Sequence, residues 1–479
     1  MVSYHDPYVA TLPKMRKYKF NLKSVEINDE KLKEFDCVLI VTNHDCIDYC
    51  AIKKSKFVVD TRGRYRNKSN NIVRCYLMKL LRITDVYPYY ENIFYSRYPE
   101  VIQQPYIVQK MKYNQDFFAW AGCWCNALNN IGYEAEEIVI NMRGIQFAWA
   151  SENLLNSHTL SLEDIAIAQI KKFKPEILWF DIINYDLLRK IKSECTSIKL
   201  IMGWVGSAIA KTDQWSQMNV ILSCAPESVS RLKSYGVKAE HIHHAFDPRI
   251  NQHILKEKEV ANNTFIGQIV RDNQFHLERE RMLIEISKVV DLNIYSPSAN
   301  IKYRDIIKPF LKQMIYKTVK RGENIGFEGM IKHIPIIQKA LHWEKCPVLP
   351  VNMSLKNNLK RPVFGMEMFQ IIRDSLVTLN IHADTSPIYA SNMRLFETTG
   401  VGSCLVTDWK QNVSELFEED TEIITYKSID DCVEKIRWLN KHPGKARQIA
   451  AAGNKRCLNE HTFEHRILIL DKLIKKYLV

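Results

Sequence analysis

The sequence predicts an α/β protein of two doubly wound parallel sheets, preceded by a small α/β unit. Three observations carry this. Short apolar runs alternate with stretches of helical pattern, which is how buried parallel strands and their crossover helices read. A polar, charged stretch over 251–263 interrupts the alternation near mid-chain and suits a linker. The alternation then resumes and ends in about fifty residues of helical pattern.

The first unit, 1–77, has apolar runs at 37–42 and 56–60, with a short crossover helix expected over 48–54 between them. A second unit, 78–250, carries strand candidates at 80–84, 137–140, 177–180, 199–202 and 220–223, and helical stretches over 115–132 and 160–173. After the linker, a third unit over 264–457 opens with Thr264 to Gly267, an apolar strand closing on glycine. It continues with strands at 292–295, 377–381, 404–407 and 423–426. Helices are expected over 430–440, 445–460 and 462–477, and the last segment, 458–479, forms a terminal helix.

Composition narrows the function classes. At 479 residues, 46% apolar and 10% aromatic, the chain is globular and long enough for two or three cores. It has no run of eighteen apolar residues and no basic-then-apolar leader, so a cytoplasmic protein without a membrane span is expected. Twelve cysteines lack the paired spacing of zinc or disulfide frameworks, which leaves reduced, mostly buried thiols and no metal. The net charge of +13 is concentrated: residues 298–361 hold thirteen Lys/Arg against four acids. Such a stretch attracts an anionic partner, including a peripheral contact with an anionic membrane. Nucleic acid is not expected, because no recognition motif accompanies the charge.

The stretch from Asn392 to Asp408 is the richest in chemistry. It reads as a helix start bearing Arg394 and Glu397, a glycine turn at Gly400 and Gly402, and a short buried strand. Three residues apart, Arg394 and Glu397 share a helix face, so the arginine can meet phosphate while the glutamate accepts from sugar hydroxyls. The alternative is an exposed ion pair. Gly400 and Gly402 suit either a close approach of backbone to ligand or a helix C-cap. His382 and Asp384 follow a strand at the sheet edge where open α/β folds bind ligands, and are catalytic candidates. The glycines at Gly203 and Gly206 also follow a strand and read as an acceptor-side wall. His241, His243 and His244 lack carboxylate companions and read as a polar patch rather than a metal cluster.

Two resemblances extend this reading. Residues 1–77 resemble the C-terminal, UDP-binding domain of nucleotide-sugar dehydrogenases, through Val2 to Tyr8, Leu12-Pro13, Ser24-Val25, Thr42 to Asp45, Asp48-Tyr49 and Val58 to Arg62. That domain's opening strand and helix would precede Met1, and the nicotinamide-binding half is missing, so dehydrogenase activity is not expected. A nucleotide-sugar dehydrogenase partner is an implied possibility.

From about residue 80 onward the chain resembles CgeB-type (spore-maturation-protein-like) glycosyltransferases. The match runs through Tyr87-Pro88, Tyr95, Trp120, Ala127-Leu128, Gly132-Tyr133, Ala148-Trp149, Gln169, Phe173, Pro175 and Ala245 to Arg249. It continues at Phe265 to Gly267, Asn380 to His382, Asn392 to Asp408, Glu460 to Phe463 and His465-Arg466. The resemblance implies the GT-B architecture of two Rossmann-like domains, with the final helix crossing back to the first. It also implies transfer of a sugar from a nucleotide-diphosphate donor to a glycan, lipid-linked or protein acceptor in bacterial surface polysaccharide or glycoconjugate synthesis, without cofactor or metal. Donor contacts then fall on Gly267, Arg271, His382, Asn392, Arg394, Glu397, Gly400 and Gly402, with Arg279 and Arg281 as further phosphate candidates. One departure stands out. The retaining pattern places a second glutamate eight positions before Glu397, where this chain has Tyr389, with Ala390 seven before. Arg394 and Glu397 are therefore expected to grip the donor rather than perform the transfer, and a catalytically inactive nucleotide-sugar-binding or scaffold protein is the alternative.

Overall fold

The computed structural model describes residues 2–478 except 13–21, 43, 66–68, 75–76, 154–158, 207–211, 256–259, 272–275, 302, 325–342, 344–345 and 351. Three parallel sheets organise them. The first is small, in the order β1 (Val38–Ile40), β2 (Val58–Asp60), β3 (Ile72–Arg74). Its crossover helix Tyr49–Ile52 starts at Asp48, whose carboxylate accepts from the amides of Cys50 and Ala51, a side-chain cap.

The second sheet contains β4 (Met78–Thr84), β5 (Tyr133–Val139), β6 (Ile177–Phe180), β7 (Leu200–Val205), β8 (Val220–Ser223) and β9 (Ala239–His241), in the order β5-β4-β6-β7-β8-β9. The third contains β10 (Val260–Ile266), β11 (Leu292–Tyr295), β12 (Leu359–Lys360), β13 (Ser375–Asn380), β14 (Cys404–Asp408) and β15 (Ile424–Tyr426), in the order β12-β11-β10-β13-β14-β15. All the strand pairs in both are parallel. Central strands are apolar on both faces because helices cover both. Leu80, Ile83, Ile177 and Leu178 are fully buried, and each such side chain stabilises the fold by about 1.5–3 kcal/mol.

Three local features depart from the sequence expectation. The helix expected over 115–132 is broken: a helix Tyr106–Asp116 ends at Phe117, and a new one, Cys123–Asn130, begins after Gly122. Between them Phe117, Ala119 and Trp120 hold left-handed backbone (φ 54°, 50° and 63°), which no helix can contain. β10 starts at Val260, inside the expected linker. Its polar residues are accommodated individually: Asn263 donates to the Asp291 carbonyl at 2.9 Å, and the hydroxyls of Thr264 and Ser375 meet at 2.6 Å. Finally, β9 and β12 are edge strands with too little apolar pattern to announce themselves.

The terminal helix Phe463–Leu478 packs on the second sheet's domain. Phe463 stacks edge-on against Trp124 at 4.9 Å, the Tyr133 hydroxyl bonds Asp471 at 2.9 Å, and Lys476 pairs with Glu240 at 2.6 Å. Of the described cysteines none is disulfide-bonded, and most are buried.

Candidate functional site

In each large sheet the strand order reverses beside one strand, β4 in the first domain and β10 in the second, and open α/β sheets hold ligands at such points. The two points face each other. A cavity of about 390 Å³ lies between them, walled on one side by Asp85 to Pro88, Phe118 and Ala119, and on the other by Gly267, Gln268, Phe364, Arg394 and Glu397.

Arg394 and Glu397 sit on the first turn of helix Arg394–Val401, and Asn392 primes that turn by accepting from the Arg394 amide at 2.9 Å. The guanidinium lies 2.7 Å from the Glu397 carboxylate. At 9% and 7% exposure the pair is buried, which removes the reading of an exposed surface ion pair. Burial raises the Glu397 carboxyl above its usual range, and Arg394 opposes the shift. The Arg394 Nε–H is buried and has no hydrogen-bond partner among the described residues. A buried donor of this kind is costly until something accepts from it.

His382 follows β13. Its Nδ1 stands 2.6 Å from Asp408 Oδ1, which also accepts from the His382 amide at 3.0 Å, while Lys410 lies 3.1 Å from the other oxygen. Against the upward push of burial, His382 and Lys410 hold the Asp408 carboxyl well below the usual range. The carboxylate orients the ring, and Nε2 is buried without a hydrogen-bond partner among the described residues.

Other candidates land elsewhere. Arg271 is engaged by Glu280 at 3.0 Å and by the Leu349 carbonyl at 2.6 Å, and lines a separate surface groove. Arg279 is buried and spends its donors on the carbonyls of Ile381 and Gln268 and on the His276 ring, tying the loop after β10 to the end of β13. Arg281 forms an exposed pair with Glu278. Asp384 accepts from the Glu278 amide at 3.3 Å and so steadies the start of helix Leu277–Ser287.

The glycine expectations also change. Gly400 lies inside the helix with its α-carbon under Phe246, where an added Cβ would be 2.2 Å from the ring, and Gly402 is the left-handed C-cap at φ 79°. Both serve packing and helix termination. Asn392 is spent on the Arg394 amide and on Asn380, its Nδ2 donating to the side-chain Oδ1 of Asn380 at 2.9 Å. Gly203 makes room for Met218, not for an acceptor: a Cβ there would be 2.4 Å from the sulfur. Among the described residues no three His, Cys, Asp or Glu side chains gather as a metal site. His244 packs at a tilt against Trp120, ring centroids 4.8 Å apart, and its backbone carbonyl accepts from Arg466, so these histidines belong to the domain junction.

Sequence reasoning missed the first-domain wall. Phe364 inserts among Tyr90, Phe118 and Tyr87 with ring centroids 5.0–6.1 Å apart. Below it Arg97 pairs with Glu367 at 2.8 Å, and Asp116 accepts from the Met366 amide at 3.4 Å. On the other flank Glu227 accepts from the amides of Ile388 and Tyr389 at 3.0 and 2.9 Å. Asp85 directly follows β4 at the cavity, and burial raises its carboxyl. Left-handed backbone at non-glycine residues is stored strain of the kind that clusters at functional sites, and one of these residues, Ala119, lines this cavity.

Residues 312–471 match the Glycosyl transferase-like family, and residues 1–67 match the UDP binding domain of the UDP-glucose/GDP-mannose dehydrogenase family. No curated protein sequence matches the chain. Among solved structures it is similar to a glycosyltransferase from Rickettsia africae ESF-5, at 10% identity over 84% of this chain and 99% of that chain, TM-score 0.47. It is likewise similar to Anabaena Alr3699/HepE in complex with UDP-glucose, at 10% identity over 83% and 100%, TM-score 0.44. Two Rossmann-like sheets opposed across a cleft constitute the GT-B architecture. The chain thus combines a glycosyl transferase-like domain with a nucleotide-sugar dehydrogenase UDP-binding domain.

Proposed function

We propose that the protein is a cytoplasmic CgeB-type glycosyltransferase that moves a hexosyl group from a nucleotide-diphosphate donor to a glycan, lipid-linked or protein acceptor in bacterial glycoconjugate synthesis. The observation that carries this reading is the buried Arg394–Glu397 pair facing Asp85 across the interdomain cavity. Arg394 meets the diphosphate and Glu397 accepts from sugar hydroxyls. As the sugar–phosphate bond breaks, its electron pair goes to the departing diphosphate, whose charge fixed guanidinium stabilises. The acceptor hydroxyl attacks from the first-domain side and gives its proton to Asp85, a carboxylate made more basic by burial. His382, oriented by Asp408, offers Nε2 to a donor hydroxyl. Fixed charge carries the electrostatic work in this scheme, so a metal is not required.

The test is incubation of the protein with labelled nucleotide sugars and cell-extract acceptors, with and without EDTA. Release of nucleotide diphosphate together with labelled product is expected in both. Donor binding with no turnover under any condition would instead favour a non-catalytic scaffold, the reading suggested by Tyr389 and Ala390 standing where a second glutamate was sought.

A further inference from the structure

The helix Tyr303–Asn324 carries an apolar stripe that nothing in the described structure covers. Ile307, Phe310, Leu311 and Met314 are 55%, 48%, 55% and 50% exposed, at the i, i+3, i+4, i+7 spacing that lines one helix face. A helix on a globular surface turns such a stripe inward. Here the inward side is different: Val319 is buried there, and Gln313 donates to the Pro347 carbonyl at 3.3 Å. Exposed cations surround the stripe. Lys317 and Arg321 continue it over the next two turns, and Arg304 and Lys308 border it on one side. Asp305, the nearest acid, pairs with Arg304 and falls on the other side of the helix from the stripe.

We propose that this helix docks the protein on an anionic lipid surface, lying in the interfacial plane with Ile307, Phe310, Leu311 and Met314 among the acyl chains. The choice of occupant follows from charge. An apolar face ringed by lysine and arginine is complementary to an anionic bilayer interface, where aliphatic stems remain with the lipid and ammonium groups reach the headgroups. The thirteen cations against four acids over 298–361 extend the same complementarity. No helix among the described residues is long and apolar enough to cross a membrane, so the helix lies on the surface. This inference does not depend on the transfer chemistry.

The experiment is co-sedimentation of the full chain with vesicles of phosphatidylcholine alone and of phosphatidylcholine mixed with phosphatidylglycerol, at low and high salt. Binding to the mixed vesicles only, weakened by salt, is expected. A Phe310→Asp/Leu311→Asp variant should lose that binding roughly tenfold or more, and so should Lys308→Glu/Lys317→Glu/Arg321→Glu. These positions are exposed, so an unchanged circular dichroism spectrum and melting temperature will accompany the loss. Failure to bind anionic vesicles, or equal binding by the variants, overturns the proposal. Self-association of the native chain that the Phe310→Asp/Leu311→Asp variant abolishes, without lipid binding, also overturns it and assigns the face to a second copy.

Discussion

Replacing Arg394 by methionine separates the two roles its guanidinium is given. The side chain is nearly as long and can keep the contact with Met368, so the change removes charge more than volume. A charge-assisted contact to phosphate is worth about 1.5–3 kcal/mol, so the donor dissociation constant should rise about 10- to 150-fold. The fold should suffer as well. Glu397 would lose its partner at 2.7 Å and stand alone at 7% exposure, and removing one member of a buried pair costs about 3–5 kcal/mol while the other stays charged. Burial already raises the Glu397 carboxyl. A group raised in the folded state stabilises most below its unfolded pKa and loses that contribution as pH rises through the folded value. The variant should therefore be relatively more stable in acid, and Glu397→Gln in the same chain should restore stability without restoring affinity. Calorimetric titration with UDP, GDP, CDP and dTDP, paired with thermal unfolding, reads both effects. An unchanged dissociation constant in a folded Arg394→Met protein would refute the donor assignment.

Three further outcomes are expected. Asp85→Asn should lower kcat about 100- to 10,000-fold with donor affinity intact, as removal of a general base does, and full turnover would exclude Asp85 from proton transfer. Gly400→Ala should cost about 1–3 kcal/mol by pressing a methyl group into the Phe246 ring 2.2 Å away, which an unaltered melting temperature would contradict. Stability should fall as pH drops from 6.5 towards 5. Burial and then Arg466 lower His244 to about 3, and burial likewise lowers His461 to about 4, so the unfolded chain takes protons that the folded one refuses. Each histidine contributes about 1.4 kcal/mol per pH unit in that window, so a flat unfolding profile there would count against buried neutral rings at the junction.

Much of the architecture was legible because it is written in contiguous residues. Ile177–Phe180 and Val220–Ser223 are short runs buried on both sheet faces, Leu292–Tyr295 buries Leu292 and Ile294 on one face, and all three fold as strands with those bounds. Ala239–His241 and Leu359–Lys360 gave no such signal, since edge strands hydrogen-bond on one side and need less apolar surface. The site was legible on one wall only. Arg394 and Glu397 are neighbours on a helix, so spacing reveals them, whereas Asp85 and Phe364 become relevant only when two domains meet. Arg271 and Gly400 show the converse: a suitable residue at a suitable place in a loop or helix is claimed by Glu280 in one case and by Phe246 in the other.

A second glycine imposes at the cleft what Gly400 imposes behind it. Gly365 opens the helix Gly365–Asp374 at φ 57°, and a Cβ there would stand 2.0 Å from the Asp116 carboxylate of the opposite domain. The spacing between the two sheets is thus metered at two points by the absence of a methyl group. Any side chain at either position would act as a wedge, displacing Asp85 from Arg394 while leaving each wall intact in itself. The alignment of the two halves of a reaction would then be tuned by residues that touch neither substrate.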